Sequence, residues 1–452
     1  MHPTVPSQRP PMGEGPKLRP QPSPIVTGGG RGRLRSAARR AAPWIPLILL
    51  VSVCLLVAAA VSSCGTEPPD WQTSAPRAQI PDIRVLLTGG AIDAATVQAE
   101  GGGAFKLDGR AVIASRGPIS PVRIRRSGKT WSLNNLSAEG DLLVLQTPAD
   151  GRFLLNGAVY RGTLQLHPAG TDRFLAVNHL DIESYLAGVL AKELYLFWSP
   201  ETYRAQAIAA RTFAMYHKTT FGARHSYDLG DDQASQVYGG FAAETPKAWK
   251  AVRQTHGKVL AYGQKGKERI FLAQYSACNG GVVNGAYVIR DAAKIPPLMG
   301  GQVDEDGKRC RHYRWGPVRI TKADLHKALK ASAYSSADDL GDVKEIKVAA
   351  ETPYGRMHWL DVLDSQGNRV RLRAEDLRLV LLRWGPSAGR RLYSMNCGIR
   401  DLGDSFEFHN GRGFGHGVGL SQWGTEDKAR RGQTAEQILQ FYYPGAAVIR
   451  AY

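Results

Sequence analysis

The chain of 452 residues is predicted to be an α+β protein, with a mixed core of helices and strands, a smaller antiparallel β module before it, and one N-terminal membrane-anchoring helix. The β module is predicted over residues 83–177, because short alternating runs such as IRVLL, FLLN and LQLH are separated by glycine-rich turns. The core is predicted over residues 178–452, where amphipathic helical stripes alternate with strand-like runs. This length suits one large core with a small module better than several independent domains.

Two consecutive helices are predicted at the start of the core. The first lies in LDIESYLAGVLAKEL and ends near Glu193, and the triplet SPE then starts a second helix that continues to about Lys218. On the second helix Arg204 and Arg211 are seven residues apart and share a face. A nearby cation would keep the Glu193 carboxylate ionised, whereas the aromatic run YLFW that follows it would desolvate the carboxylate and raise its pKa. The sequence leaves both outcomes open.

Other acids near these helices have simpler interpretations. Glu183 is expected on a solvated helix face, and Glu201 is expected to complement the dipole at a helix N-terminus. Three further helices are predicted near residues 246–256, 321–329 and 434–442, and the last opens with a capping box of Thr434 and Gln437.

The tract GRGFGHGVGLSQWG, residues 411–424, has glycine at every second position from 411 to 419. Alternating glycine would leave one face of an extended strand without side chains, so that a backbone or a flat ligand can approach it. The other face would present Arg412, Phe414 and His416, followed by Gln422 and Trp423, which are groups that a sugar-binding cleft uses. The alternative is a core strand packed under a helix, with His416 a buried histidine whose hydrogen bonds are satisfied.

The amino end predicts export. Residues 1–42 form a basic leader rich in proline and glycine that lacks the apolar content to fold, residues 43–62 form a transmembrane anchor or signal segment, and residues 63–82 form a linker. The basic residues before the apolar segment favour a cytoplasmic amino end, with the bulk of the chain outside the membrane. A lipoprotein signal is the alternative, because VSSCG resembles a lipobox in which Cys64 would be lipidated.

The formal net charge of +18 is explained by two partners. The leader would lie against anionic lipid headgroups of the cytoplasmic membrane, and the basic exported part would attract a polyanionic wall. Nucleic acid is not expected as a partner, because the exported part has no clustered basic and aromatic binding motif.

The exported cysteines leave two alternatives open. Cys278 and Cys310 are disulfide candidates that would close a loop of about thirty residues, worth roughly 3 to 4 kcal/mol in the chain-entropy model. A metal site around Cys310 and His312 is the competitor, but CRH is not a recognised zinc pattern and few ligands cluster. We therefore expect no metal and no other cofactor.

Four motifs in order carry a resemblance to a known family. DIESYLAGVLAKEL, PETYRAQAIAARTFA, YSACNGG and GRGFGHGVGLSQWG followed by QILQFYYPG resemble the stage II sporulation protein D and LytB (amidase enhancer) family. The resemblance implies a catalytic acid at Glu193 and an active-site arginine at Arg211, and Arg204 stands where the sporulation proteins carry a lysine. The substrate-binding residues expected in these motifs are Arg204, Gln206, Arg211, Tyr275, Ser276, Gly413, His416 and Gln422.

The resemblance leaves two functional hypotheses. The first is a lytic transglycosylase that cleaves denuded peptidoglycan glycan strands, in which one glutamate acts as acid and then as base to give 1,6-anhydro-muramyl ends. One group can do both only if its pKa is raised toward neutrality. The second is a noncatalytic amidase enhancer that binds glycan and activates a cell-wall amidase as its partner. Sporulation does not follow from the resemblance, so a role in remodelling the wall is expected.

Overall fold

The computed structural model describes residues 79–231, 235–290, 295–332 and 337–452. The mixture of helices and antiparallel sheets in these residues confirms the predicted α+β class. The basic leader, the apolar segment 43–62 and Cys64 lie outside the described residues, as does most of the linker. Within the described part, none of the helices has the length and apolar character needed to cross a membrane.

Twelve strands form the amino-terminal half, and they pair antiparallel as their alternating patterns predict. In sequence order they are β1 (Asp82–Ile92), β2 (Ala94–Ala99), β3 (Gly103–Leu107), β4 (Arg110–Ser115), β5 (Ile119–Ser127), β6 (Thr130–Leu133), β7 (Leu136–Glu139), β8 (Leu143–Gln146), β9 (Arg152–Leu155), β10 (Ala158–Arg161), β11 (Thr163–Pro168) and β12 (Phe174–Asp181).

Two sheets result. The strands β10-β9-β2-β5-β6-β7 form one of them, and β1-β12-β11-β8-β3-β4 form most of the other. Inward-facing residues alternate along each strand and meet between the sheets, where the ring of Trp131 lies 5.4 Å from that of Phe174.

Helix α1 (Ile182–Glu193) follows β12 directly. Its N-cap is Asp181, whose carboxylate accepts a hydrogen bond from the Ser184 N–H. Helix α2 (Pro200–Thr220) begins with proline at its first position, as predicted, and runs two residues beyond the predicted end. The chain continues through β13 (Leu229–Gly230), α3 (Pro246–Gln254) and β14 (Lys258–Tyr262). Strand β13 pairs parallel to β1 and forms one edge of the sheet that contains β1.

The β strands and the first helices share one core. A continuous cluster of buried apolar side chains joins Ile83 and Phe153 of the strands to Tyr185 of α1 and Tyr203 of α2. The predicted boundary between residues 177 and 178 therefore falls inside a strand, at the place where β12 leads into α1.

The carboxyl-terminal half contributes short strands and four helices among the described residues. They are β15 (Arg269–Ile270), β16 (Tyr275–Ser276), β17 (Arg314–Trp315), β18 (Val318–Thr321), α4 (Lys322–Ala331), β19 (Val343–Glu351), β20 (Met357–Asp364), β21 (Arg369–Arg373), α5 (Ala374–Trp384), β22 (Gly398–Asp401), β23 (Ser405–His409), β24 (Gly411–Arg412), β25 (Leu420–Ser421), α6 (Gln422–Arg430), α7 (Ala435–Tyr442) and β26 (Ala447–Arg450).

Two further clusters of buried side chains hold this half together. One lies between α4, α5 and the sheets β18-β23-β22 and β19-β20-β21. The other joins the outer face of α2 to β14, α6 and α7. The capping box that opens α7 is confirmed, because both of its reciprocal hydrogen bonds between Thr434 and Gln437 are formed.

Candidate functional site

The Glu193 carboxylate lies at the last residue of α1, half-buried, and each of its oxygens accepts a hydrogen bond. Oε1 accepts from the backbone N–H of Val237 at 3.1 Å, and Oε2 accepts from Gln422 Nε2 at 3.0 Å. The Tyr275 hydroxyl donates a third hydrogen bond to the carboxylate. The site therefore joins the end of α1, the start of α6 and strand β16, which are far apart in the sequence.

Burial raises the pKa of Glu193 above its usual value of 4.5, and the three hydrogen bonds oppose this effect only in part. No lysine or arginine among the described residues forms an ion pair with this carboxylate. The question that the sequence left open is thus answered in favour of desolvation. By contrast, the pKa values of Glu201, Glu375 and Glu426 are lowered.

A chain of hydrogen bonds behind Glu193 orients its tyrosine donor. The Tyr185 hydroxyl donates to Gln236 Oε1 at 3.0 Å, and Gln236 Nε2 donates to the Tyr275 hydroxyl oxygen at 3.0 Å. Because the Tyr275 oxygen already accepts this bond, its own proton is free to point at Glu193. Gln236 and the Val237 amide lie in a loop without a motif, so no signal in the sequence pointed to them.

An aromatic cluster stands directly after Glu193. The rings of Tyr195 and Phe197 are stacked at 5.4 Å, and Trp198 and Trp423 meet edge to face at 5.0 Å. Tyr195 also contacts Trp423 at 5.7 Å and so joins the two pairs. The side chains of Tyr195 and Phe197 are 51% and 67% exposed, so the cluster presents open ring faces to solvent beside the carboxylate. Such faces suit the apolar side of a sugar ring.

The glycine tract is not the extended strand predicted from its alternation. Only Gly411–Arg412 and Leu420–Ser421 pair as short strands, and the glycines at 413, 415, 417 and 419 all have positive φ. The tract is a loop pressed against the YSACNGG segment: a Cβ on Gly413 would lie 2.7 Å from the Cys278 carbonyl oxygen, and one on Gly419 would lie 2.0 Å from that of Gln274. Of the two groups predicted to approach the glycines, a backbone or a flat ligand, the structure has the backbone.

His416 and Ser276 fix this loop to strand β16. His416 Nδ1 accepts a hydrogen bond from the Val418 N–H at 3.0 Å, and its ring also bonds the backbone of Tyr275. Burial lowers the pKa of His416 to about 4, so the ring is neutral. Ser276 Oγ accepts from the Gly417 N–H at 3.2 Å. These contacts agree with the alternative of a satisfied histidine, and they give no support to substrate binding by His416, Ser276 or Gly413.

The two arginines of α2 do not meet at Glu193. Arg204 pairs with Glu201 and donates to Gln254 Oε1 at 2.7 Å. Arg211 is completely buried and forms an ion pair with Glu183 at 2.7 Å, while its Nη1 donates to the Lys258 carbonyl oxygen at 3.0 Å. This arrangement leaves Arg211 no surface for a substrate and gives it a structural role instead.

Two smaller expectations also change. Glu183 is 4% exposed, so the expectation of a solvated helix face was wrong: the arginine on the next helix draws this carboxylate into the core. Gln206 is fully buried, and its side-chain amide has no hydrogen-bond partner among the described residues. Of the predicted substrate-binding residues, Tyr275 and Gln422 are the ones that contact the Glu193 carboxylate.

The predicted disulfide is not formed in the structure. Cys278 and Cys310 are free thiols that lie against each other, and one S–H donates to the other sulfur. This hydrogen bond raises the pKa of Cys278 and lowers that of Cys310. His312 stacks on Tyr393 with ring centroids 3.7 Å apart. In the parts of the chain that the structure describes, no three histidine, cysteine or acidic side chains are grouped to hold a metal ion.

Comparisons with known proteins identify two matching family models and several relatives. Residues 171–262, which contain α1 and α2, match the family model described as SpoIID, stage II sporulation protein, and residues 265–419 match a domain of unknown function (DUF8618). Stage II sporulation protein D of Bacillus subtilis is 30% identical over 291 residues, which cover 61% of this chain and 76% of that protein.

Two other relatives extend the comparison. The amidase enhancer of Bacillus subtilis is 27% identical over 357 residues, covering 71% of this chain and 49% of that protein. An uncharacterized protein of Brachyspira hyodysenteriae is 28% identical over 317 residues, covering 70% of this chain and 79% of that protein. The chain belongs to the SpoIID/LytB family, as the motifs predicted, and this membership ties it to a function in the cell wall.

Proposed function

We propose that the protein is a lytic transglycosylase that cleaves denuded peptidoglycan glycan strands, with Glu193 as its single acid and base. The observation that carries the proposal is the raised pKa of this carboxylate in a site walled by exposed aromatic rings. A group that donates a proton and then takes one back works best when its pKa is shifted toward the working pH.

The neighbouring acids support a one-carboxylate mechanism. Ordinary glycosidases place two carboxyl groups on either side of the scissile bond. Here Glu183 is bound to Arg211, Glu201 to Arg204, and Glu426 accepts hydrogen bonds from Ser199 and Thr202. Each of these three acids is engaged in its own ion pair or hydrogen bonds, so among the four acids Glu193 is the one proposed to carry both proton transfers.

The reaction then has two balanced steps. Protonated Glu193 gives its proton to the glycosidic oxygen as the bond from that oxygen to C1 of the muramic acid breaks. The carboxylate next takes the proton of the sugar's C6 hydroxyl while that oxygen bonds to C1, which closes the 1,6-anhydro ring and restores the acid. Between the steps the hydrogen bonds from Val237, Gln422 and Tyr275 stabilise the anion.

The aromatic cluster has a matching role in this mechanism. Sugar rings stacked on Tyr195 and Phe197 would lie next to Glu193 and exclude water from it. Exclusion of water favours attack by the C6 hydroxyl over hydrolysis. We further propose that segment 43–62, or a lipid on Cys64, tethers the chain to the cytoplasmic membrane, so that the catalytic core faces the wall.

The test is to incubate the full chain, purified in detergent, with denuded glycan strands and to detect 1,6-anhydro-muramyl ends by mass spectrometry. We expect these ends with the unchanged protein and with Glu436→Gln, a control on an exposed acid. We expect their loss with Glu193→Gln. Anhydro ends that persist in Glu193→Gln would disprove the assignment of the acid.

A second function is favoured by the relative named amidase enhancer. In this alternative the same cleft binds glycan without cleaving it and presents the wall to an amidase. A wall amidase assayed with and without the chain separates the two. Stimulation that is equal for the unchanged protein and Glu193→Gln, with no anhydro ends from either, would favour the enhancer.

A further inference from the structure

A cavity lies beside the start of the glycine tract, where Arg412 forms part of its wall. Its volume is about 580 Å³, and its walls come from the end of the YSACNGG segment, the tip of the β19–β20 hairpin and the segment that leads into β24. The side chains that matter here are Asn284, Glu305, Tyr313, Glu351, Tyr354 and Arg412.

The wall of this cavity carries charges of both signs. Glu305 pairs with Lys308 at the surface. Neither Glu351 nor Arg412 forms an ion pair with another residue in the described ranges, although both line the same space. A ligand that carries an ammonium and a carboxylate group would pair with both, and arginine is well suited to bind a carboxylate through two parallel hydrogen bonds.

A buried amide adds an acceptor to this wall. Asn284 is 2% exposed, and its Nδ2 donates to the Val282 carbonyl oxygen at 3.3 Å. Its Oδ1 accepts no hydrogen bond from any residue that the structure describes. Buried polar atoms are normally paired, so an amide N–H of a ligand lying against Asn284 would supply the missing donor.

The cavity is within reach of the cleft at Glu193. Gly280 lies in its wall and follows Tyr275, which contacts Glu193, by five residues. Five residues of extended chain span no more than about 18 Å, so the two sites are close enough for one substrate to occupy both.

We propose that this cavity binds a short zwitterionic peptide of the class that forms the stems of peptidoglycan, while the glycan lies at Glu193. This inference rests on the proposed function, since a partly denuded wall strand presents such peptides next to its bare sugars. Glu351 binds the ammonium group, Arg412 binds a carboxylate, and Asn284 accepts a peptide N–H. The cavity volume of about 580 Å³ is within the range of small-ligand sites. An uncharged N-acetyl sugar would leave both charges unpaired and fits the aromatic cluster better.

A consequence concerns the substrate. A strand that retains a few stems next to a bare stretch should bind more tightly than a fully denuded strand. The cavity would then direct cleavage to the edge of the region from which stems have been removed.

The test is a calorimetric titration of the full chain in detergent with the tripeptide L-alanyl-γ-D-glutamyl-meso-diaminopimelate. We expect saturable binding that is weakened about tenfold or more in Glu351→Gln and in Arg412→Gln, because each loses a charge-assisted hydrogen bond. Glu139→Gln, on an exposed acid of β7, should bind as the unchanged protein does. Both cavity variants change exposed side chains, so the fold should be retained.

The proposal would be overturned if the peptide showed no saturable binding, or if the cavity variants bound it as tightly as the control variant does. It would also be overturned if an N-acetylglucosamine trimer bound instead of the peptide and Glu351→Gln weakened that binding. Glu193→Gln should leave peptide binding unchanged. Peptide binding without any anhydro ends would therefore reject the proposed function and leave the cavity assignment standing.

Discussion

At the scale of single residues, Glu193 and Glu201 differ in the groups that donate hydrogen bonds to their carboxylates. Glu193 is half-buried with neutral hydrogen-bond donors, and its pKa is raised. Glu201 faces Arg204, and the hydrogen bond from this guanidinium lowers its pKa. Burial without a countercharge destabilises the ionised form of a carboxyl group, so the group gives up its proton less readily and its pKa rises, as a catalytic acid requires. An ion pair stabilises the ionised form and lowers the pKa.

Arg211 shows what the sequence could not decide at this scale. Its motif predicted an active-site arginine, and its place on α2 was predicted correctly, but the side chain enters the core toward Glu183. The partner lies 28 residues earlier, on α1, so the pairing depends on how two helices pack. The hydrogen bonds of Gln236 depend on tertiary packing in the same way, because its partners Tyr185 and Tyr275 are far from it in the sequence.

The pH dependence of cleavage follows from the donors to Glu193. The first step needs the protonated acid, so activity falls as the pH rises through the pKa of Glu193. Tyr275→Phe removes one donor that stabilises the carboxylate, which raises this pKa further. We expect the alkaline limb of kcat/KM to move to higher pH in this variant, together with a lower maximum rate.

The measurement is the rate of anhydro-end formation across the pH range. Tyr216→Phe is the matched control, because its hydroxyl makes no hydrogen bond with a described residue. An alkaline limb that stays in place, or moves to lower pH, in Tyr275→Phe would contradict the assigned hydrogen bond.

At the scale of elements, local signals were sufficient for helices and insufficient for the glycine tract. Caps such as Asp181 and Thr434 act within a few residues, so the starts of α1 and α7 could be predicted from the sequence. The conformation of residues 411–419 is imposed by a segment more than 130 residues away. Alternating glycine is compatible with an extended strand and also with a series of residues at positive φ. Contact with the segment that contains Gln274 and Cys278 selects the second conformation.

The glycine tract gives a prediction on stability. Gly419 has a φ of +65°, and a Cβ there would overlap the Gln274 carbonyl oxygen. Gly419→Ala should therefore lower the free energy of unfolding by at least about 2 kcal/mol, because strain in the left-handed region adds to the clash. Urea unfolding followed by tryptophan fluorescence measures the change.

Gly117→Ala is the control for this effect. Its Cβ would meet nothing within 4 Å, and its φ is ordinary, so stability should be unchanged or slightly increased. Equal stability of Gly419→Ala and Gly117→Ala would show that the tract is not packed as described here.

At the scale of the whole molecule, one cluster of buried apolar side chains includes residues on both sides of the boundary predicted between residues 177 and 178. Turn-rich strands and helical stripes differ clearly in sequence, so a β module was predicted over residues 83–177 and a mixed core of helices and strands over residues 178–452. Burial does not follow this division, because the apolar stripe of α1 shares one buried cluster with the sheets before it and with α2 and α3. Sequence patterns reveal which faces are apolar, and they do not reveal which faces meet.

This shared core predicts the behaviour of fragments. A fragment of residues 178–452 would lose β1 to β11 and part of β12, and would expose Tyr185, Leu186 and Val189 of α1, which are completely buried in the chain. We expect this fragment to be insoluble or to unfold without a cooperative transition, whereas residues 79–452 should unfold cooperatively. Circular dichroism during urea unfolding distinguishes the two outcomes. Because Glu193 ends α1, a fragment that folded cooperatively and still cleaved glycan would show that the strands are dispensable for the site and that the β module can be separated from the core.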